Sequence, residues 1–130
     1  ASTDNGKSWE PRDMQKCLPW DYPRKENYLR GIAVDPANPK RIMVSFGDFT
    51  PGTSGAIAQS DDFCKSWKLL PLPQEPNSTM WTFATNSDDP KVIFAASRYG
   101  YLYRSDDGGA SWSKLRRELS EIAAVCWLPN

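Results

Sequence analysis

The sequence predicts an all-β fold made of short antiparallel strands, and three observations support this prediction. The 130 residues include 11 Pro and 8 Gly, and short apolar runs end in Gly, Pro, Asn or Asp, as in strands joined by tight turns. No segment keeps a clear helical periodicity. An octapeptide of the form Ser-x-Asp-x-Gly-x-Ser-Trp occurs three times, which indicates a repeated structural unit.

The octapeptides occupy residues 2–9, 60–67 and 105–112. An aspartate in a tight turn accepts hydrogen bonds from backbone N–H groups further along, and a glycine two residues later adopts a conformation that other residues reach at a cost. The tryptophan that follows is expected to be a core residue. We therefore predict structural turn positions, and no metal site, at Asp4, Gly6, Trp9, Asp62, Trp67, Asp107, Gly109 and Trp112.

The second octapeptide departs from this pattern, because Cys64 stands where a glycine is expected. If the position requires a positive φ, the cysteine costs about 1 kcal/mol.

The segments around the octapeptides repeat as well. The second octapeptide lies between the third and fourth of four candidate strands, at residues 31–36, 39–44, 55–59 and 68–72. The third octapeptide lies between the third and fourth of a second set, at residues 81–86, 90–95, 100–104 and 113–117. Four strands in about 40 to 50 residues is the content of one β-propeller blade. The sequence thus predicts a β-propeller fragment of four-stranded antiparallel blades.

The predicted organisation is two complete blades with partial blades on either side. Residues 28–73 and 77–119 each form a complete blade, residues 1–27 supply the last strand of a partial blade plus a linker, and residues 120–130 supply a closing strand. A closed ring needs at least about four blades, so we expect the remaining blades as partners. They would come from the same chain before cleavage, which we favour, from another chain, or from further copies.

Charge and composition exclude several partner classes. The 16 basic residues balance 16 acidic ones, which argues against a nucleic-acid surface, and no apolar run is long enough to span a membrane. Histidine is absent, so the commonest general base and metal ligand is missing, and three widely spaced cysteines fit neither a disulfide framework nor a zinc site. We expect no cofactor, and the compartment is left open.

The octapeptides and their spacing resemble those of the Asp-box (BNR-repeat) propeller superfamily, which includes sialidases. The resemblance is nearest to bacterial BNR-repeat proteins, often called glycosyl hydrolase-like, that end in a phrase like residues 121–130. It implies that the octapeptides lie on one face of the ring and that ligands bind on the opposite face, around the channel. That face would be lined by Tyr28, Arg30, Asp48, Phe49, Thr50, Asn77, Trp81, Arg98, Tyr99, Ser120 and Glu121.

Within this face, we predict ligand contacts from Arg30, Asp48, Phe49, Thr50, Trp81, Arg98 and Tyr99. Arg30 and Arg98 together would suit a carboxylate or phosphate, although arginines more often pair with acids or stack on aromatic rings. Asp48 and Glu121 are the one carboxylate pair nominated for catalysis, with Tyr99 as a further candidate.

Two functions follow from these candidates. The leading hypothesis is a non-catalytic binding or assembly module of a BNR-type propeller. The alternative is a sialidase-like or other glycoside hydrolase, whose site lies on the channel face or in blades outside this chain. The sequence alone does not decide whether the chain has an enzymatic activity.

Overall fold

The computed structural model describes residues 1–14, 17 and 28–129, and it contains two four-stranded antiparallel sheets. The strands of the first sheet are β1 (Tyr28–Asp35), β2 (Asn38–Gly47), β3 (Gly55–Ser60) and β4 (Lys68–Leu69). Those of the second are β5 (Met80–Thr85), β6 (Ile93–Ser97), β7 (Leu102–Ser105) and β8 (Ser113–Lys114). All of these elements are strands, so the predicted all-β fold is confirmed. Within each sheet the strands lie side by side in chain order.

The two sheets are copies of one unit in register as well as in order. Ile32 pairs with Val44 in the first sheet, and Phe83 pairs with Ala95 in the second, so equivalent residues differ by 51 in number (83 − 32 and 95 − 44). We call the side that carries Val44 or Ala95 the front face of its sheet. The side that carries Met43 or its equivalent Phe94 is the back face, because successive side chains alternate along a strand.

The core lies between the two sheets, where the back face of the first packs against the front face of the second. Back-face residues of the first sheet meet front-face residues of the second in one buried cluster that includes Ala33, Met43, Ile57, Ile93, Ala95 and Tyr103. A smaller cluster covers the front face of the first sheet, where Val44 and Phe46 contact Met14 and Cys17 of the N-terminal segment.

The three octapeptides fold into the same hydrogen-bonded turn. In the third, the Asp107 carboxylate accepts bonds from the Ser111 N–H (2.9 Å) and hydroxyl (2.6 Å), and the Ser105 hydroxyl accepts one from the Gly109 N–H (2.8 Å). The other two turns repeat these bonds around Asp4 and Asp62. The aspartates are consequently structural, as the sequence predicts.

The tryptophans of the turns differ from the prediction at one position. Trp112 is buried and its Nε1 donates to the Gly109 carbonyl at 3.1 Å, and Trp67 is half-buried against the front face of the first sheet. Trp9 is 73% exposed, so its assignment as a core residue is wrong. The reason is that a ring is buried only where a sheet lies beside it, and no strand is formed in the described part of residues 1–27.

The predicted terminal strands are also absent from the residues that the structure describes. Neither residues 1–14 nor residues 120–129 form a strand, although Ile122 donates its N–H to the Arg98 carbonyl at 2.9 Å. A strand requires a hydrogen-bonded ladder with a neighbour, and no further strand lies beside either segment in the described chain. The division of residues 1–27 and 120–130 into partial blades remains a prediction.

The second octapeptide turn holds the non-glycine residue Cys64 at a positive φ, and replacing Cys64 by glycine should remove this conformational strain. Cys64 has a φ of 65°, whereas the equivalent Gly6 and Gly109 have φ values of 83° and 91°. We expect Cys64→Gly to raise the free energy of unfolding by about 1 kcal/mol, because glycine enters this region without steric penalty. Urea denaturation followed by tryptophan fluorescence measures it, and Cys64→Ala should show no comparable gain.

The turn aspartates should also make stability depend on acid. Hydrogen bonds from the hydroxyl and N–H of Ser111 lower the pKa of Asp107 from 3.8 to about 2, and corresponding bonds do the same at Asp4 and Asp62. Since the folded pKa is depressed, the stabilisation is complete above about pH 4 and is lost as the pH falls through 2. We expect the melting temperature to fall over this range, and Asp107→Asn to reduce both the melting temperature at pH 6 and the size of the fall. An equal fall in the variant would contradict this assignment.

Candidate functional site

Four loops meet at the end of the sheets opposite the octapeptide turns, and we call this end the loop face. They are residues 48–54, 70–79, 98–101 and 115–122, which join or follow the strands at that end. Backbone bonds tie them together: the Thr79 N–H donates to the Pro51 carbonyl (2.9 Å), and the Arg98 N–H donates to the Thr79 carbonyl (2.9 Å). The loop face is therefore one connected surface.

Residues 77–79 form the anchor of this surface. The Asn77 amide donates to the Tyr99 carbonyl at 2.8 Å, and the Ser78 hydroxyl accepts from the Tyr99 N–H at 2.9 Å. On the other side, the Thr79 hydroxyl donates to the Phe49 carbonyl. The backbones beneath Phe49 and Tyr99 are thus fixed to the same three residues.

The side chains of these two aromatic residues are exposed to solvent. Phe49 is 59% exposed and Tyr99 is 44% exposed. A solvent-exposed aromatic ring does not gain the free energy of burial, and it keeps its apolar surface available for contact with a ligand. The pair gives the loop face two exposed aromatic rings on hydrogen-bonded backbones.

Asp48, one of the nominated catalytic carboxylates, accepts hydrogen bonds from residues of its own loop. Its carboxylate accepts bonds from the Thr53 N–H (3.0 Å), the Thr53 hydroxyl (2.9 Å) and the Ser54 N–H (3.1 Å). Partial burial acts to raise the pKa of Asp48, but the bonds from Ser54 and Thr53 outweigh it and lower the pKa below its ordinary value. A general acid needs the opposite shift.

A stack of aromatic rings and guanidinium groups crosses the junction between the sheets. The Arg30 guanidinium lies 4.4 Å from the centre of the Tyr28 ring and 3.8 Å from that of Trp81, and the Arg98 guanidinium lies 4.7 Å from the Trp81 ring. The register shows why Arg30 and Trp81 meet: each is the unpaired residue of a bulge at the same position of β1 or β5. Bulges re-aim side chains, and here they direct one residue from each sheet into the junction.

The far end of this stack is closed by an ion pair. The Arg98 guanidinium lies 3.2 Å from the Glu121 carboxylate and donates to the Ile122 carbonyl at 3.1 Å. Arg98 is therefore already paired with an acid, and Glu121, the second nominated catalytic carboxylate, is engaged with it. Asp48 and Glu121 therefore each have polar partners within the chain, and a catalytic role for either stays a prediction.

Two further residues of the predicted ligand-binding face, Thr50 and Ser120, lie in loops of the loop face. Thr50 lies half-buried within the 48–54 loop, and Ser120 is exposed beside Glu121. The anchoring role of Ser78 and Thr79 was missed by the sequence reading, although a polar run between Pro76 and Met80, directly before a buried strand, was the available signal.

The described residues meet the requirements of neither a metal centre nor a membrane-spanning helix. The described residues contain no group of three or more His, Cys, Asp or Glu side chains placed to hold a metal ion, and all three cysteines are free. In the same part of the chain, no helix has the length and apolar character needed to cross a membrane.

Comparison with known proteins gives relatives of one main kind. No family model matches the chain. A xyloglucanase of Paenibacillus sp is 30% identical over 118 residues, covering 83% of this chain and 11% of that protein. A xyloglucanase of Acetivibrio thermocellus is 27% identical over 121 residues (82% and 14%), and sortilin of Danio rerio is 30% identical over 97 residues (75% and 11%).

Solved structures agree on the fold. The GH74 xyloglucanase from Xanthomonas campestris matches with a TM-score of 0.52 and 25% identity, over 65% of this chain and 13% of that one. An ancestral GH74 enzyme matches with a TM-score of 0.56 and 19% identity, over 66% and 13%. The prediction of a propeller fragment is confirmed.

The chain spans only about 11–14% of the length of these xyloglucanases. These xyloglucanases are glycoside hydrolases, which is the class of the alternative function that the sequence suggests.

Proposed function

We propose that this chain is a pair of Asp-box blades from a xyloglucanase-like propeller, and that its loop face binds a glucan chain such as xyloglucan without supplying the hydrolytic groups. The observation that carries the proposal is the pair of exposed rings, Phe49 and Tyr99, whose backbones are fixed to the same anchor. The assignment of the turns as Asp boxes is supported by their identical hydrogen bonds.

A saccharide chain suits these groups chemically. The faces of a pyranose ring carry C–H groups that pack on aromatic rings, while its hydroxyls need donors and acceptors at the edges. Phe49 and Tyr99 offer the apolar platforms, and the N–H groups of the exposed Arg30 guanidinium, which lies against the Tyr28 and Trp81 rings, are donors. The similarity to xyloglucanases makes a glucan the saccharide to test first.

The proposal assigns hydrolysis to groups outside this chain. Glycoside hydrolysis uses two carboxyl groups about 5–9.5 Å apart, one of which must be protonated to donate to the leaving group. Asp48 is held as a carboxylate by its loop, and Glu121 is paired with Arg98. With both engaged, this part of the propeller is suited to holding a substrate and not to cleaving it.

The test is titration of the chain with a xyloglucan oligosaccharide by isothermal calorimetry. We expect Phe49→Ala and Tyr99→Ala each to weaken binding about tenfold, which corresponds to about 1.4 kcal/mol for a lost stacking contact. Phe63→Ala is the matched control, because Phe63 is also an exposed phenylalanine but belongs to an octapeptide turn at the opposite end.

Equal losses in all three variants, or no measurable binding by the unmodified chain, would refute the proposed site. Release of reducing ends by the chain alone would refute its non-catalytic character and return Asp48 and Glu121 to consideration.

A further inference from the structure

The loop that carries Phe49 is longer than its counterpart in the second sheet. Residues 48–54 join β2 to β3, whereas only residues 98–101 join β6 to β7 and carry Tyr99. A longer loop has more conformations available to it, and their entropy opposes any single ordered shape. The 48–54 loop therefore needs internal bonds if it is to hold the Phe49 ring in one position.

The Asp48 carboxylate supplies most of these bonds. Its Oδ1 atom accepts from the Thr53 N–H at 3.0 Å and from the Ser54 N–H at 3.1 Å, and its Oδ2 atom accepts from the Thr53 hydroxyl at 2.9 Å. The Asp48 N–H also donates to the Ser54 carbonyl at 3.3 Å. Asp48 thus joins the two ends of the loop, directly beside Phe49 in the chain.

The backbone of Phe49 is also held from the other side. The Thr79 hydroxyl donates to the Phe49 carbonyl, and the Thr79 N–H donates to the Pro51 carbonyl at 2.9 Å. Gly52 allows this close approach, because a Cβ atom there would lie 2.8 Å from the Phe49 carbonyl oxygen and 2.9 Å from the Thr79 hydroxyl oxygen. Phe49 therefore lies between two fixed points, Asp48 and Thr79, while its ring stays exposed.

We propose that Asp48 is a positioning residue for saccharide binding, which acts through Phe49 by holding the 48–54 loop in the shape that presents the ring. A ring that is already held in place loses less conformational freedom on binding, so the complex is tighter. The inference rests on the proposed function, because it takes Phe49 to contact the saccharide. It requires neither a contact between Asp48 and the ligand nor a proton transfer.

The test uses the calorimetric titration of the chain with a xyloglucan oligosaccharide. Because Asp48 acts through Phe49, its removal cannot weaken binding more than Phe49→Ala does, and we expect Asp48→Ala to weaken it about three- to tenfold. Asp48→Asn keeps an Oδ1 acceptor for the two N–H groups, so we expect a loss of about twofold. Equal losses in the alanine and asparagine variants would overturn the proposal, since the charge and not the loop bonds would then matter.

Asp62→Ala is the matched control. The Asp62 carboxylate accepts the same set of bonds, from the N–H groups of Lys65 (3.0 Å) and Ser66 (2.9 Å) and from the Ser66 hydroxyl (2.6 Å), but it lies in an octapeptide turn at the opposite end. We expect Asp62→Ala to lower the melting temperature and to leave the affinity unchanged. Circular dichroism and thermal unfolding check that each variant is folded. Similar losses of affinity in Asp62→Ala and Asp48→Ala would overturn the positioning role.

A double-mutant cycle shows whether Asp48 acts through Phe49. In the Phe49→Ala background, we expect Asp48→Ala to cause a further loss of less than about twofold, whereas in the Tyr99→Ala background it should keep its full effect. The same further loss in both backgrounds would overturn the proposal. If Phe49→Ala itself leaves binding unchanged, the proposed function fails and this inference fails with it. If Phe49→Ala weakens binding but Asp48→Ala does not, only the positioning role is refuted.

Discussion

Replacement of Gly100 by alanine is expected to lower the free energy of unfolding by about 3 kcal/mol and to abolish saccharide binding at the loop face. Gly100 has a φ of 93°, a conformation that costs an alanine about 1 kcal/mol. A Cβ atom at this position would also lie 2.7 Å from the carbonyl carbon of Leu119 and 3.0 Å from the carbonyl oxygen of Ser120. This backbone overlap adds a further cost of about 1–3 kcal/mol.

The loss of binding follows from what Gly100 holds in place. Its carbonyl accepts a bond from the Leu119 N–H at 3.1 Å, and the segment that follows carries Glu121 to its ion pair with Arg98. Pushing residue 119 away therefore disturbs the end of the aromatic stack, and the same strain acts on the neighbouring Tyr99.

Gly108 provides the matched control. It has a similar φ of 72°, but a Cβ atom there would meet only the Arg41 side chain, at an ordinary 3.7 Å. We expect Gly108→Ala to cost about 1 kcal/mol, from backbone strain alone, and to leave binding unchanged. Urea denaturation and calorimetric titration measure both effects, and equal destabilisation by the two substitutions would contradict the steric explanation.

Tyr103→Ala is expected to destabilise the chain by about 3–5 kcal/mol, which is the range for truncating a buried aromatic residue. Tyr103 is fully buried in the core between the two sheets, and its hydroxyl donates to the Gln74 carbonyl at 3.0 Å. Burial accordingly raises the pKa of the Tyr103 phenol above its ordinary value. The substitution removes both the packing between sheets and the bond that fixes the 70–79 loop.

Tyr103→Phe separates these two contributions. It keeps the ring and removes only the hydroxyl, so we expect a loss of about 1 kcal/mol from the unsatisfied Gln74 carbonyl. Thermal and urea unfolding of both variants provide the measurement. A cost for Tyr103→Phe as large as that for Tyr103→Ala would show that the core tolerates loss of the ring and that the loop contact dominates.

The sequence alone determined the repeated unit. Each sheet pairs strands that are neighbours in sequence. The turn aspartates Asp4, Asp62 and Asp107 accept hydrogen bonds from residues four positions further along the chain. Because both kinds of contact are short-range, they leave a repeated pattern in the sequence. The resemblance to propeller repeats likewise predicted that Phe49 and Tyr99 lie on the face opposite the octapeptide turns.

Only the tertiary structure decided which side chains meet and which are left in water. Arg30 stacks on Trp81 because bulges occur at the same position in two strands 51 residues apart, and the Asp48 carboxylate is hydrogen-bonded within its own loop. Trp9 and Trp112 occupy the same place in the octapeptide, yet one is exposed and the other buried, because only Trp112 has a sheet beside it. Burial depends on neighbours that are distant in sequence, and a local pattern carries no information about them.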